Sequence, residues 1–101
     1  MEIKRTKRSF ALFDDDKTLM GEIIYDANEG CMVAVKTFVD PLHRGKGLAK
    51  ILVDTLVAEA RRNHMKIIPQ CSYVLKTFVE NQEYKDVWEQ DPKKQQASCR
   101  I

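Results

Sequence analysis

Between Val33 and Arg62 the hydrophobic pattern changes period across one short turn, and this switch limits the possible folds more than any other feature. Val33 to Val39 reads as an apolar strand, and Pro41 blocks its extension. Arg44-Gly45-Lys46-Gly47-Leu48-Ala49 then leads into a helix from about Gly45 to Asn63. Leu48, Ile51, Leu52, Thr55, Leu56 and Glu59 recur there at spacings of three and four, and Val53, Val57 and Ala60 widen the stripe. Strand, glycine-rich turn and helix start, in that order, suit an anion. Two glycines let the backbone approach a ligand, and the first helical N–H groups have no intrahelical partner. Those donors and the positive end of the helix dipole make a phosphate site, beside which Arg44 and Lys46 add full charges. Such glycines can also serve only to shape the backbone. The flanking cations favour the anion.

Two nucleotide patterns fail at this loop. A Walker A loop requires Ser or Thr after Gly-Lys to hold magnesium, and Gly45-Lys46-Gly47-Leu48 supplies no hydroxyl. A dinucleotide fingerprint requires a third glycine where this chain has Lys50.

The remaining chain supplies strands before the turn and a strand and helix after it. Phe10, Leu12 and Phe13 begin a strand that stops at Asp14-Asp15-Asp16. Leu19 to Tyr25 forms a second, Asn28-Glu29-Gly30 a hairpin turn, and Cys31 to Val39 a third. In the third, alternation points Met32 and Ala34 one way and Val33, Val35 and Thr37 the other. Arg61, Arg62 and His64 fall near the helix C-terminus, where cations suit the dipole. Met65 to Ile68 reads as a buried fourth strand, parallel to the third because a helix crosses back before it. Ser72 to Val79 is helical, with Val74, Leu75, Phe78 and Val79 as its inner face. Tyr84 to Trp88 reads as a last helical turn covering an edge, and Asp91 to Ile101 as a frayed tail. The expectation is an α/β (α+β) fold: an antiparallel three-strand meander, a helix, a parallel fourth strand and a C-terminal helix. A chain of 101 residues is one domain, with a core over about 8–88.

Composition removes several function classes. A net charge of +2 indicates no extended nucleic-acid or membrane surface. No apolar run approaches the roughly 18 residues of a membrane span, and Met1 to Arg8 leads into no signal-peptide core, so a cytoplasmic protein is expected. Cys31, Cys71 and Cys99 are odd in number and scattered, which argues for reduced thiols. His43 and His64 stand alone, without metal-ligand spacing, and Asp14 to Asp16 reads as a solvated turn rather than a metal site.

With Arg44, Gly47 and Ala49 in place between strand and helix, the chain resembles the GNAT superfamily of acyl-CoA N-acyltransferases. The preceding Phe38-Val39-Asp40-Pro41 matches the strand end of that superfamily. More specifically, the chain is similar to a small single-domain branch, through Thr37-x-Val39-x-Pro41, Arg44 to Gly47, Pro69-Gln70-Cys71-Ser72-Tyr73 and Glu83-Tyr84. The resemblance spans roughly Phe10 to Val87. It departs at Lys36 and at Asn81-Gln82, where branch members often carry His and His-Pro. A cationic Lys36 does not serve as a base unless desolvated.

The resemblance implies acetyl-CoA as cosubstrate and an amine as acceptor. The N–H groups of Gly45, Lys46, Gly47, Leu48 and Ala49, with Arg44, would cradle the pyrophosphate, and backbone groups of Phe38 and Val39 would bind the arm and polarise the thioester carbonyl. Ser72 and Lys76 are further coenzyme contacts in this reading, and His43 could meet phosphate. Cys71 is the sharpest catalytic candidate, because a thiol at a helix N-terminus is activated. Its roles are acceptor of the acyl group or polar neighbour of the thioester; a small buried core residue is the plain alternative. Tyr73 and Tyr84 can protonate a leaving thiolate, or simply pack with satisfied hydroxyls. Cys31 is assigned to structure and Cys99 to the tail. A rival class is a non-catalytic CoA sensor or interaction module; a domain holding another nucleotide is a third.

Overall fold

The computed structural model describes residues 1–28 and 30–91. Five strands, β1 (Glu2–Arg5), β2 (Ser9–Phe13), β3 (Leu19–Asn28), β4 (Cys31–Val39) and β5 (Lys66–Pro69), lie side by side in chain order. Neighbours run antiparallel except β4 and β5, which are parallel. The connection between that parallel pair carries the helix α1 (Leu48–Arg62), which lies across one face of the sheet. Helix α2 (Ser72–Glu80) follows β5.

The apolar stripe of α1 makes the core. Leu52, Val53, Leu56, Val57 and Ala60 are at most 1% exposed and cluster with Leu12, Ile23 and Ile67 from the sheet. Each such leucine contributes about 1.5–3 kcal/mol by burial. Glu59, in the same stripe, is buried between two cations, Arg5 of β1 at 2.5 Å and Arg62.

The meander starts one strand earlier than the sequence pattern indicates. Every residue of β1 is exposed, so no apolar alternation marks it. Its place comes from pairing with β2, Glu2 opposite Phe13 through Arg5 opposite Phe10, and from the Arg5–Glu59 contact.

Two facings also need correction. In β4, Lys36 pairs with Ile24 but Ala34 pairs with Tyr25, leaving Val35 as an extra residue. A bulge of one residue reverses the alternation beyond it. Thr37 therefore does not point with Val33 and Val35; it lines the same cavity as Leu48 of α1, and Val39 packs on the main core. In α2 the buried residues are Val74, Thr77 and Phe78, while Leu75 is 42% and Val79 63% exposed. A nine-residue helix beside a sheet edge has room for only a narrow inner stripe.

The segment after α2 forms a 3-10 turn at Gln82–Tyr84 and then covers the outer edge of β5. Ile67 N–H donates to Val87 O at 2.5 Å, and Glu89 N–H donates to Ile67 O at 2.8 Å. Of the expected tail, Asp91 is exposed and residues 92–101, including Cys99, lie outside the described residues, as does Glu29 of the β3–β4 turn. Among the described residues no helix is long and apolar enough to cross a membrane.

The site is set up by unequal strand lengths. Pairing between β4 and β5 stops at Ala34 opposite Pro69. Cys71 N–H then donates to Ala34 O at 2.8 Å, and the chain turns into α2. From Lys36 to Val39, β4 continues with no strand on that side among the described residues. A cleft opens there.

Candidate active site

Asp40 shapes one end of the cleft. Its Oδ1 accepts from Leu42 N–H at 3.3 Å and caps the 3-10 turn Pro41–His43, which Pro41 starts. The chain then needs two left-handed residues to enter α1, and Gly45 at φ 83 and Gly47 at φ 74 supply them. Among the described residues, none beyond the chain neighbours comes within 4 Å of a Cβ placed on either, so glycine is required by conformation and the space beside the loop is open. The first α1 bond is Ile51 N–H to Gly47 O at 3.3 Å, with no side-chain cap and no acid in the first turn. The residues ahead of it, Leu48, Ala49 and Lys50, line the opening, and an anion completes such an end.

The opening is a cavity of about 450 Å³ lined by Thr37, Val39, His43, Arg44, Gly45, Gly47, Leu48, Ala49, Lys50 and Tyr73. Seven of these are residues the sequence nominated for ligand or chemistry: Val39, Arg44, Gly45, Gly47, Leu48, Ala49 and Tyr73. His43, weighed as a phosphate contact, lines it too, with Nε2 3.9 Å from Asp40 Oδ2 and Nδ1 3.4 Å from Lys46 Nζ. Lys46, Phe38 and Ser72 are exposed beside the cleft without lining it. Lys76 is exposed and pairs with Glu80 at 3.9 Å, so nothing directs it to the cleft.

Cys71 is the N-cap of α2, and its Sγ lies 3.5 Å from Thr37 Oγ1. Burial is the largest single influence on this thiol and pushes it up. The Thr37 hydroxyl and backbone hydrogen bonds from Val74, Tyr73 and Thr37 together outweigh it and hold the thiol below its ordinary value. Thr37 and Tyr73 both line the cavity, whereas Cys71 does not; it is partly buried and packs against the main core.

Tyr84 is elsewhere. Its ring is 2% exposed and stacks on Phe78 at 5.4 Å; its hydroxyl donates to Asp54 Oδ1 at 2.5 Å and accepts from Lys50 Nζ at 3.2 Å. Burial and the Asp54 bond hold its hydroxyl above the ordinary phenol value, against a smaller lowering by Lys50. Lys50, the one cavity residue held in this network, also bonds Asp54 Oδ2 at 3.1 Å and is raised by Tyr84 and Asp54. Asp14 Oδ1 accepts from Asp16 N–H and Thr18 N–H, both at 2.9 Å, which makes the acidic run a self-capped turn. Among the described residues no group of three or more His, Cys, Asp or Glu side chains is arranged to hold a metal.

Residues 9–87 match the model of the GCN5-related N-acetyl-transferase family. The chain belongs to that family. It is 30% identical to a GCN5-like protein from Staphylococcus aureus whose solution structure superposes with a TM-score of 0.74, over 87% of this chain and 87% of that one. A ribosomal-protein-alanine N-acetyltransferase from Brucella melitensis biovar Abortus 2308 shares the fold, with a TM-score of 0.55 at 24% identity, over 85% of this chain and 65% of its own. A comparison with curated proteins gives no match. In this family member, sequence reasoning left two cleft residues without a role. Thr37 was part of a motif only, because the Val35 bulge that turns it inward leaves no trace in the alternation. Lys50 stood only as the missing third glycine, and its partner Tyr84 is 34 residues away.

Proposed function

We propose that this family member binds acetyl-CoA in the β4–α1–α2 cleft and transfers its acetyl group to an amine, with Cys71 beside the thioester. The observation that carries the reading is the cleft's polarity. An uncapped helix start and Arg44 line the cavity, and the Cys71 sulfur lies 3.5 Å from Thr37 of its wall. The pyrophosphate takes the loop from Gly45 to Ala49, and the arm runs along the free edge of β4. An N–H of Phe38 or Val39 stabilises the oxygen of the tetrahedral intermediate. The neutral amine nitrogen attacks the carbonyl carbon and gives up a proton to solvent, the C–S bond breaks, and the coenzyme leaves as a thiolate that takes up a proton. Tyr73, on the cavity wall, would supply that proton. Alternatively the Cys71 thiolate takes the acetyl group first and the amine removes it from the resulting thioester.

The test is a thermal-shift series with acetyl-CoA, CoA and ATP, then intact-mass analysis and thiol release across a panel of amines. Acetyl-CoA and CoA should raise Tm by several degrees and ATP should not; a protein bound at 100 times its Kd gains about 2.7 kcal/mol. Absence of any shift with acetyl-CoA sinks the reading. Tight binding without turnover on any amine supports the sensor instead.

A further inference from the structure

We infer that the outer face of α2 is a surface on which two copies of this chain pair. Pairing there is independent of what the cleft binds. Helix α2 turns Val74, Thr77 and Phe78 to the core and leaves Leu75 and Val79 exposed, one turn apart. Beside Val79 lies a recess of about 230 Å³ lined by Phe78, Val79, Gln82, Lys85, Trp88 and Gln90. The Phe78 and Trp88 ring centroids stand 6.1 Å apart in its wall. An exposed apolar stripe next to an aromatic recess offers both a side chain to insert and a place for one to enter.

The charges beside the stripe select the partner. Lys76 and Glu80 follow Leu75 and Val79 by one position each, so they form a second stripe along one flank; both are exposed, with head groups 3.9 Å apart. A two-fold axis crossing α2 near Thr77 and Phe78 sets a second α2 antiparallel to the first. That operation keeps each flank on its own side and reverses its direction. Leu75 of one copy then meets Val79 of the other, and Lys76 meets Glu80, each contact occurring twice. The face is complementary to itself. An anionic membrane, or a partner of a single charge, would instead oppose one member of each Lys76–Glu80 pair. At nine residues α2 is about 13 Å long, so the contact is small and the dimer weak and reversible.

Sedimentation of the full chain at low ionic strength, from about 10 μM to about 1 mM, should show the mass moving from one chain toward two. Val79→Glu, at an exposed position, should hold it at one chain over the same range. Lys76→Glu alone sets Glu against Glu across the axis, and Glu80→Lys alone sets Lys against Lys. Each should weaken the dimer about tenfold. Mixed in equal amounts, the two variants restore both opposite-charge pairs, and the dimer should return at close to its original strength. A folding defect in either variant cannot produce that recovery. A full chain that keeps the mass of one copy throughout overturns the inference and leaves the face to a different occupant. A dimer that Val79→Glu leaves intact, or a mixture no tighter than either variant alone, overturns it as well.

Discussion

The Thr37 hydroxyl is the side chain that tunes Cys71, and its removal has a definite sign. Burial acts against the thiolate, and Thr37 is the largest influence opposing burial. Thr37→Val should therefore move the thiol's ionisation upward. In the unaltered protein the alkylation rate with iodoacetamide should climb through a midpoint below the ordinary cysteine value and level off above it. In the variant the whole curve should shift to higher pH, so that alkylation at pH 7 slows several-fold. An unchanged midpoint would refute Thr37 as the cause. Cys71 and the two glycines were legible because single residues carry their chemistry wherever they are placed. Thr37 was not legible, because its facing depends on an extra residue two positions earlier and a partner in β3. Tyr84 shows the converse. A buried tyrosine near a motif looks catalytic, but here Asp54 and Lys50 occupy its hydroxyl. Tyr84→Phe should cost about 1 kcal/mol in urea unfolding and leave the acetyl-CoA thermal shift in place.

At the scale of elements, both ends of α1 are set by left-handed residues, only one of them glycine. Gly47 opens the helix at φ 74; His64, just past Asn63, closes it at φ 55. There Met65 N–H donates to Ala60 O at 2.8 Å and His64 N–H to Arg61 O at 3.3 Å, the pair of bonds that terminates many helices. Glycine takes that conformation at no steric cost. His64→Gly should stabilise the protein by about 1 kcal/mol and raise Tm by roughly 4–8 °C in a melting curve. Gly47→Ala should act in the opposite direction, destabilising by about 1–2 kcal/mol and weakening acetyl-CoA binding in the same samples. Open space around Gly47 means that the loss comes from backbone strain. Helix α1 was readable from its long stripe and its charged ends. Strand β1 was not. Four exposed residues carry no pattern, and their pairing depends on β2 and Glu59.

Across the whole molecule, the two ends of α1 have separate duties. Its N-terminus faces the cleft, and its C-terminus anchors chain segments that no local pattern joins. Arg61 grips Asp86 with two bonds of 3.0 Å and donates to Glu83 O at 2.8 Å, holding the last segment. Glu59 is 3% exposed on its side chain, against 59% for Arg5 and 65% for Arg62, so a buried carboxylate is solvated by two surface cations. Glu59→Gln keeps the shape and removes the charge that draws Arg5 inward. Because both arginines can return to water, the cost should be about 1–2 kcal/mol, below the range for stranding a fully buried charge. Hydrogen exchange locates the effect. Amides of β1, which among the described residues pairs only with β2, should exchange faster, while those of Leu52 and Leu56 in mid-helix should follow only the small global loss. The acetyl-CoA thermal shift should persist, because the loop lies at the opposite end of a 15-residue helix. A Glu59→Gln protein that keeps β1 protected would show that strand pairing alone holds β1. One that loses coenzyme binding while staying folded would show that the two ends of α1 are coupled.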